Sequence, residues 1–305
     1  MNMFKYSNTN KRYHTLDYYY KNKYAQKVYK ISLNAGFGCP NNPRCIYCSE
    51  GSKYFNLSSK VPLKKQFIEG IKLISKKIKK PLYIAYFQTN TNTYAPLSIL
   101  KEKYEEVLTY PNVIGLSIAT RSDAISNDVL YYLTDLNKRT DLTIELGLQS
   151  IHSKTLKLIK RGHTLKNFTN MVKKLQQRNI KVVVHIINGL PYETKEDMLA
   201  TVKYLNKLKI NGIKIHMLHI IKNTELAKMY QKEKFHILTK DEYIDIVCDE
   251  LELLDEKIII HRITGDPKID NLITPTWLIK KFCVLNDIDK EMVKRNSYQG
   301  IKKED

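Results

Sequence analysis

Three cysteines fall within ten residues, CPNNPRCIYC from Cys39 to Cys48, with five and then two residues between them, directly after the apolar strand-like run YKISLNAGFG. A thiolate is a soft, charged ligand that suits Zn or an iron–sulfur cluster, and three of them leave a fourth metal position open to something other than protein. The opening stretch MNMFKYSNTNKRYH carries no secretory apolar run, and no segment is long and apolar enough to span a bilayer. The expected setting is therefore a reducing cytoplasm without membrane contact, where clustered cysteines read as metal ligands and not as disulfides. The remaining two, Cys248 in DIVCDELELL and Cys283 in IKKFCVLN, lie on helix-like apolar faces and read as buried structural thiols.

Charge adds a second constraint. Across 305 residues, 51 Lys and Arg stand against 31 Asp and Glu, a formal net charge of +20. The excess is larger than solubility needs and draws polyanions, nucleic acid first among them. A composition biased towards Lys, Ile, Asn and Tyr would give the same excess without a partner. Residues 1–28 interleave tyrosines with lysines and hold too few aliphatics for a core of their own. Such an extension could stack on bases beside phosphates, or simply pack its rings onto the domain.

Beyond the cysteines, strand-like runs alternate with amphipathic helical patterns. The strands are Leu82–Gln88, Val113–Thr120, Leu142–Gln149, Lys181–Ile187 and Ile213–Ile221, and the helices include Leu63–Lys79, Leu97–Leu108, Asn127–Leu136, Lys154–Ile159, Leu165–Arg178 and Thr194–Leu208. That order predicts an α/β fold of parallel strands with crossover helices, an open or partial (β/α)6 barrel whose functional loops lie at the strand C-terminal ends. In TIELGLQS the alternate set Thr143, Glu145, Gly147, Gln149 is polar or small, and in GLSIATR the set Gly115, Ser117, Ala119, Arg121 behaves likewise. Strands buried on both faces would be apolar throughout, so one face lines a polar cavity able to take a charged cofactor. His185 interrupts an otherwise apolar strand, a place where a histidine is commonly a hydrogen-bonded core residue.

The cysteine loop after the first strand of a six-unit barrel, with Tyr47 just before the last cysteine, resembles that of a radical S-adenosylmethionine (SAM) enzyme. RYHTLDYYY, KISLNAGFGCPN, AYFQTNTNTYAP, GLSIATRSD, ELGLQSIHSKTLKLIKRGH, HIINGLPYET and RITGDP, in that order from about Arg12 to Lys281, resemble the YhcC/YtqA-like group, relatives of the Elongator catalytic subunit and of the coproporphyrinogen dehydrogenase type. The resemblance implies that Cys39, Cys45 and Cys48 hold three irons of a [4Fe-4S] cluster and that SAM chelates the fourth. It implies SAM contacts from Gln88 and Asn90, which stand where relatives carry a glycine-rich stretch, from Gln149 and Arg161 to ribose and carboxylate, and from His185 in place of a ribose-binding aspartate. Ser117, on the polar face of the third strand, joins them as a cofactor contact.

Past the barrel the chain suggests a core over 29–232, a small α+β subdomain over 233–289 and a frayed polar tail over 290–305. His216 and His219, with two residues between them in one strand, face opposite ways, so at most one reaches the cavity. Arg262 and Asp266 in the turn RITGDP, with His216, are the substrate-binding candidates, although Gly-Asp-Pro is also an ordinary turn. The resemblance implies an enzyme that cleaves SAM to a 5′-deoxyadenosyl radical and needs a reductant such as flavodoxin or ferredoxin. With the basic charge it suggests tRNA as substrate, with a wobble carboxymethylaminomethyl-uridine converted toward aminomethyl-uridine. The alternatives are a radical SAM oxidoreductase acting on a small molecule, and a zinc-stabilised RNA-binding protein.

Overall fold

A computed structural model of the chain describes residues 4–48, 57–74, 81–266 and 269–303. It opens with α1 (Leu16–Tyr24), capped by the Thr15 hydroxyl, and β1 (Val28–Leu33). The elements α2 (Leu63–Lys72), β2 (Leu82–Phe87), α3 (Leu97–Leu108), β3 (Val113–Thr120), α4 (Asn127–Arg139) and β4 (Asp141–Gln149) follow. Next come α5 (Ser153–Leu158), α6 (Leu165–Gln176), β5 (Lys181–Asn188), α7 (Lys195–Lys207), β6 (Gly212–Met217) and the two-residue β7 (Ile220–Ile221). The chain ends with α8 (Glu225–Lys232), α9 (Lys240–Leu253), β8 (Ile259–Arg262), β9 (Leu272–Thr274) and α10 (Lys281–Lys294). Threonine caps open α6, α7, α8 and α9, and Asp197 and Glu242 close capping boxes on α7 and α9, so the sequence itself marks where these helices start. The helix expected over Leu63–Lys79 is seen through Lys72, and residues 75–80 lie outside the described residues.

The main sheet is parallel with its strands in sequence order, β1-β2-β3-β4-β5-β6-β8. It therefore holds seven strands and not six. The seventh, Ile259–Arg262, was expected in a separate C-terminal subdomain, but an edge of β6 with unpaired amides is a better partner than a short strand standing alone. A second, two-stranded sheet pairs β7 with β9.

The open side between β8 and β1 is covered by the N-terminal segment. Thr15 bridges Ile260, the Ile260 amide donates to the His14 carbonyl, and α1 packs against both β1 and β8. Tyr13 and Tyr20 are buried, and Tyr20 clusters with Val28 and Ile84 at the strand N-terminal ends. Of the two expectations for this extension, packing describes Tyr13 and Tyr20.

Over residues 290–303 the tail does not fray either. Helix α10 turns Val284, Ile288 and Met292 inward, and Gln299 is fully buried, accepting from the His14 amide and donating to the Asp255 and Ile258 carbonyls. Cys248 is buried as expected, its thiol pushed up to about 12 by burial. Cys283 is exposed, because the same helical stripe that buries Val284 leaves its predecessor on the outer face.

Glu250 on α9 has no accessible surface, accepts one hydrogen bond of 2.9 Å from Asn188 Nδ2 and leaves Oε1 without a partner among the described residues. Burial raises its carboxyl to about 8. The folded state thus keeps a proton that the unfolded chain releases near pH 4.5, so its stabilising effect is complete below that pH and is lost as pH rises through about 8. Glu250→Gln should remove this dependence: the melting temperature of the variant relative to the parent rises by roughly 2 °C or more between pH 5 and pH 8. Parallel curves over that range would contradict the assignment.

Candidate active site

The cysteine loop leaves β1 at the C-terminal end of the sheet and is tied to the α5–α6 connection. The Ile46 amide donates to the Ile159 carbonyl at 3.1 Å, and Asn41 Nδ2 donates to the Lys160 carbonyl at 2.8 Å. Gly162, at φ +83°, permits this approach, since a β-carbon there would lie 1.9 Å from Asn41 Oδ1. Asn41 Nδ2 also reaches Cys45 Sγ at 3.3 Å, and Arg161 Nη1 stands 4.0 Å from the same sulfur. Cys45 is buried while Cys39 and Cys48 are exposed. Among the described residues, no three His, Cys, Asp or Glu side chains converge as a preformed metal site.

The donor chemistry nevertheless suits an anionic metal–thiolate group. Two donors already face the Cys45 sulfur, and Arg121, buried and paired with Asp123 at 2.8 and 2.9 Å, gives Nη1 to the Arg161 carbonyl at 2.9 Å. Arg161 donates to the Gly147 carbonyl, yet its Nε–H is buried with no partner among the described residues. A buried unpaired guanidinium donor calls for an acceptor, and a ligand carboxylate is a natural one. Gly147 makes room for this: a β-carbon there would fall 2.8 Å from Arg161 Nη2 and 2.9 Å from Gln149 Nε2. The residues expected to meet SAM's carboxylate and ribose, Arg161 and Gln149, therefore both face Gly147, and Arg161 also reaches Cys45.

The other expected contacts separate. Asn90 donates to the Phe37 carbonyl at 2.8 Å, so its amide shapes the entry to the cysteine loop, and Gln88 accepts from Ser32 at 3.0 Å on the first strand. Ser117 and His185 lie in a deeper layer around Glu145, which is four residues, or about 13 Å of extended strand, before Gln149. Glu145 is buried and accepts five hydrogen bonds from five other strands. They come from Lys30 Nζ at 2.7 Å, Tyr86 Oη at 2.9 Å, Ser117 Oγ at 2.7 Å, His185 Nε2 at 2.8 Å and Lys214 Nζ at 2.6 Å. Burial opposes its charge, but Lys214, Lys30 and His185 hold the carboxyl well below its usual range. Burial pushes His185 down to about 4, and burial with the Lys30 and Arg262 charges brings Lys214 down to about 7 although Glu145 pulls it up.

His216 rests 5.7 Å from the His185 ring, and a register shift beside Ile213 brings His261 within 3.4 Å of Lys30 Nζ and sets Arg262 opposite Lys214. Arg262 pairs with Asp266 at 3.7 Å, and Asp266 in turn holds Lys281 at 2.6 Å. Pro267 of the same turn lies outside the described residues. The strand expected over Ile213–Ile221 ends at Met217, so His219 does not share a strand with His216; it packs against Gly265, where burial lowers its imidazole while Asp266 raises it and Arg262 lowers it. Glu145 lies on the expected polar face of β4, whereas Lys30 and Lys214 were not among the expected site residues. The available signal was Lys214 between Ile213 and Ile215, a cation inside a strand with no acid in its own stretch.

With the fold and site described, the class is defined. Residues 33–205 match the radical SAM superfamily and residues 210–294 the radical SAM C-terminal domain, so the chain belongs to the radical SAM superfamily. It is an enzyme class that uses a [4Fe-4S] cluster and SAM and requires a reductant. Within it, the chain is 45% identical to YtqA of Bacillus subtilis over 98% of its own length and 95% of that protein. It is 26% identical to the tRNA uridine(34) acetyltransferase of Methanocaldococcus infernus over 50% of this chain and 29% of that one. The solved Elp3 of Methanocaldococcus infernus, lacking its N-terminus, shares the fold at TM-score 0.70 and 18% identity, covering 90% of this chain and 64% of that one. The zinc-stabilised RNA-binding reading is thereby set aside. Among the described residues, no helix is long and apolar enough to cross a membrane.

Removing the one carboxylate from the deeper layer should be costly, because it leaves two buried ammonium groups facing each other. Glu145→Gln should destabilise by roughly 3–5 kcal/mol, seen as a fall in melting temperature of roughly 6–20 °C. A change smaller than that of Lys72→Ala, which removes an exposed pair with Glu69, would show that the layer is not an ion-pair network.

Proposed function

We propose that this enzyme modifies the side chain of a wobble uridine in tRNA, taking carboxymethylaminomethyl-uridine toward aminomethyl-uridine. In this reading Cys39, Cys45 and Cys48 hold the [4Fe-4S] cluster and Arg161, with Gln149, binds SAM through its carboxylate and ribose. Held by these residues, the cluster and SAM would supply a 5′-deoxyadenosyl radical able to abstract a hydrogen from an unactivated carbon.

The observation that carries the reading is the cationic inner layer. Lys30, Lys214 and Arg262 present three positive charges against Glu145 and the shared Asp266, while burial keeps His185, His216 and His261 neutral. One further negative charge would balance the layer and would hold the proton on Lys214, which otherwise sits near 7. A carboxymethyl group supplies that charge on the atom next to the methylene to be attacked, where loss of a hydrogen atom to the SAM-derived radical and of one electron back to the cluster would leave an imine that water hydrolyses to aminomethyl-uridine and glyoxylate. The guanidinium of Arg262 offers the planar fork that a carboxylate fits and that lysine does not reproduce. Buried Tyr20 closes the N-terminal ends of β1 and β2 over Val28 and Ile84. The +20 charge supports a polyanionic substrate, and the half-chain similarity to a tRNA uridine(34) acetyltransferase supports the choice of nucleoside.

The roles separate by mutation. Cys45→Ala should abolish the visible absorbance of the anaerobically purified protein and all SAM cleavage, whereas Cys248→Ser should keep both. Arg262→Lys should keep the absorbance, SAM binding and formation of 5′-deoxyadenosine but lower formation of aminomethyl-uridine at least about tenfold, the loss expected for one bidentate charged contact. Parental product formation by Arg262→Lys would show that the turn is structural and that the carboxylate is held elsewhere.

A further inference from the structure

At the strand N-terminal ends, on the side of the barrel away from the cysteine loop, a concave cavity of about 850 Å³ opens between β5, β6, β8, α7 and the C-terminal segment. Six lysines line it: Lys181 at the start of β5, Lys203 and Lys207 on α7, Lys209 just after it, Lys257 before β8, and Lys303. The single acid in the lining, Asp255, is already engaged, with Lys303 at 2.9 Å and with the Lys257 amide at 2.8 Å. Lys207, Lys209 and Lys257 are exposed and make no ion pair with a described residue. Lys181 shares Asp141 with Lys23 and Tyr24, and burial together with Lys23 pushes its ammonium down to about 7. Between the cations lies an apolar and aromatic floor of Tyr19, Ile210, Leu253, Ile258 and Ile259.

Setting Lys207, Lys209 and Lys257, which make no ion pair with a described residue, around one concavity is unfavourable for the protein alone, because a low-dielectric concave wall focuses their field. The arrangement is complementary to a ligand that brings several negative charges and a flat apolar body. We propose that this cavity binds a phosphorylated nucleotide, its phosphates among Lys207, Lys209 and Lys257 and its base over Tyr19 and the isoleucines. The cavity is large enough for a nucleotide and larger than a lone phosphate requires. Base stacking on an aromatic ring with phosphates on lysines is chemistry that a free nucleotide and one residue of an RNA chain share. The site does not rest on the tRNA-modification reading, since it involves none of the residues assigned to the cluster, SAM or the inner layer.

Binding to the cluster-loaded protein separates the outcomes, with ATP, adenosine and a single-stranded oligouridylate as probes and calorimetry or fluorescence anisotropy as readout. The expected result is binding of ATP or the oligonucleotide that weakens with salt, and none of adenosine. The triple variant Lys207→Gln/Lys209→Gln/Lys257→Gln should weaken binding at least about tenfold, the loss of a few phosphate contacts. It should keep the parental melting temperature and parental 5′-deoxyadenosine formation. A control on the outer helices, Lys64→Gln/Lys166→Gln/Lys173→Gln, should stay within about threefold of the parent. An oligonucleotide much tighter than ATP identifies RNA as the source, and the reverse identifies a free nucleotide. Binding of none of the probes, adenosine binding as well as ATP, or equal losses in the two triple variants would overturn the proposal. Because no modified nucleoside is scored, failure here leaves the tRNA reading standing, and the reverse also holds.

Discussion

One buried carboxylate organises the inside of this barrel. Glu145 accepts from side chains on β1, β2, β3, β5 and β6 at once, so five of the seven strands of the main sheet are tied to β4 through charged or polar contacts as well as backbone hydrogen bonds. Such a hub is favourable only while every member is satisfied. That condition explains why the polar layer is buried below the cysteine loop, where it is shielded by the apolar outer faces of the strands and by the tyrosines of α1.

The sheet was largely legible because parallel strands covered by helices leave a strong pattern. Val113–Thr120 and Leu97–Leu108 have the observed bounds, since β-branched runs and amphipathic spacing need no tertiary context to be recognised. Ile259–Arg262 was misplaced for a different reason. Nothing local in IIHR distinguishes a strand that pairs with β6 from one in a separate unit; the partner is decided by the free edge and by the N-terminal segment that docks beside it. The tail was misread because Gln299 is polar, and its burial is made favourable by the His14, Asp255 and Ile258 backbone groups, which lie far away in sequence.

At the site, residue type singled out the cysteines, and the family resemblance alone pointed to Arg161 and Gln149, which the structure brings close to each other. Ser117 and His185 were assigned to the same ligand because alternation gives the face of a strand but not the depth along it. The structure separates them by half a strand length and gives them to Glu145 instead. Lys30 and Lys214 went unread because each is an ordinary lysine in a lysine-rich chain until the strands curl and bring both to one carboxylate. The same abundance hides the basic cavity at the opposite end, whose six lysines come from segments more than a hundred residues apart.

The account joins a thiolate-held cluster at one end of the inner layer to a carboxylate-binding wall at the other, with a tRNA uridine side chain between them. Its central claim is tested most directly by mass spectrometry of tRNA nucleosides. The sample is tRNA rich in carboxymethylaminomethyl-uridine, incubated anaerobically with cluster-loaded protein, SAM and a flavodoxin reductant. The account predicts that carboxymethylaminomethyl-uridine falls while aminomethyl-uridine and 5′-deoxyadenosine rise together. Formation of 5′-deoxyadenosine with every uridine derivative unchanged would contradict it and turn attention to a small-molecule substrate.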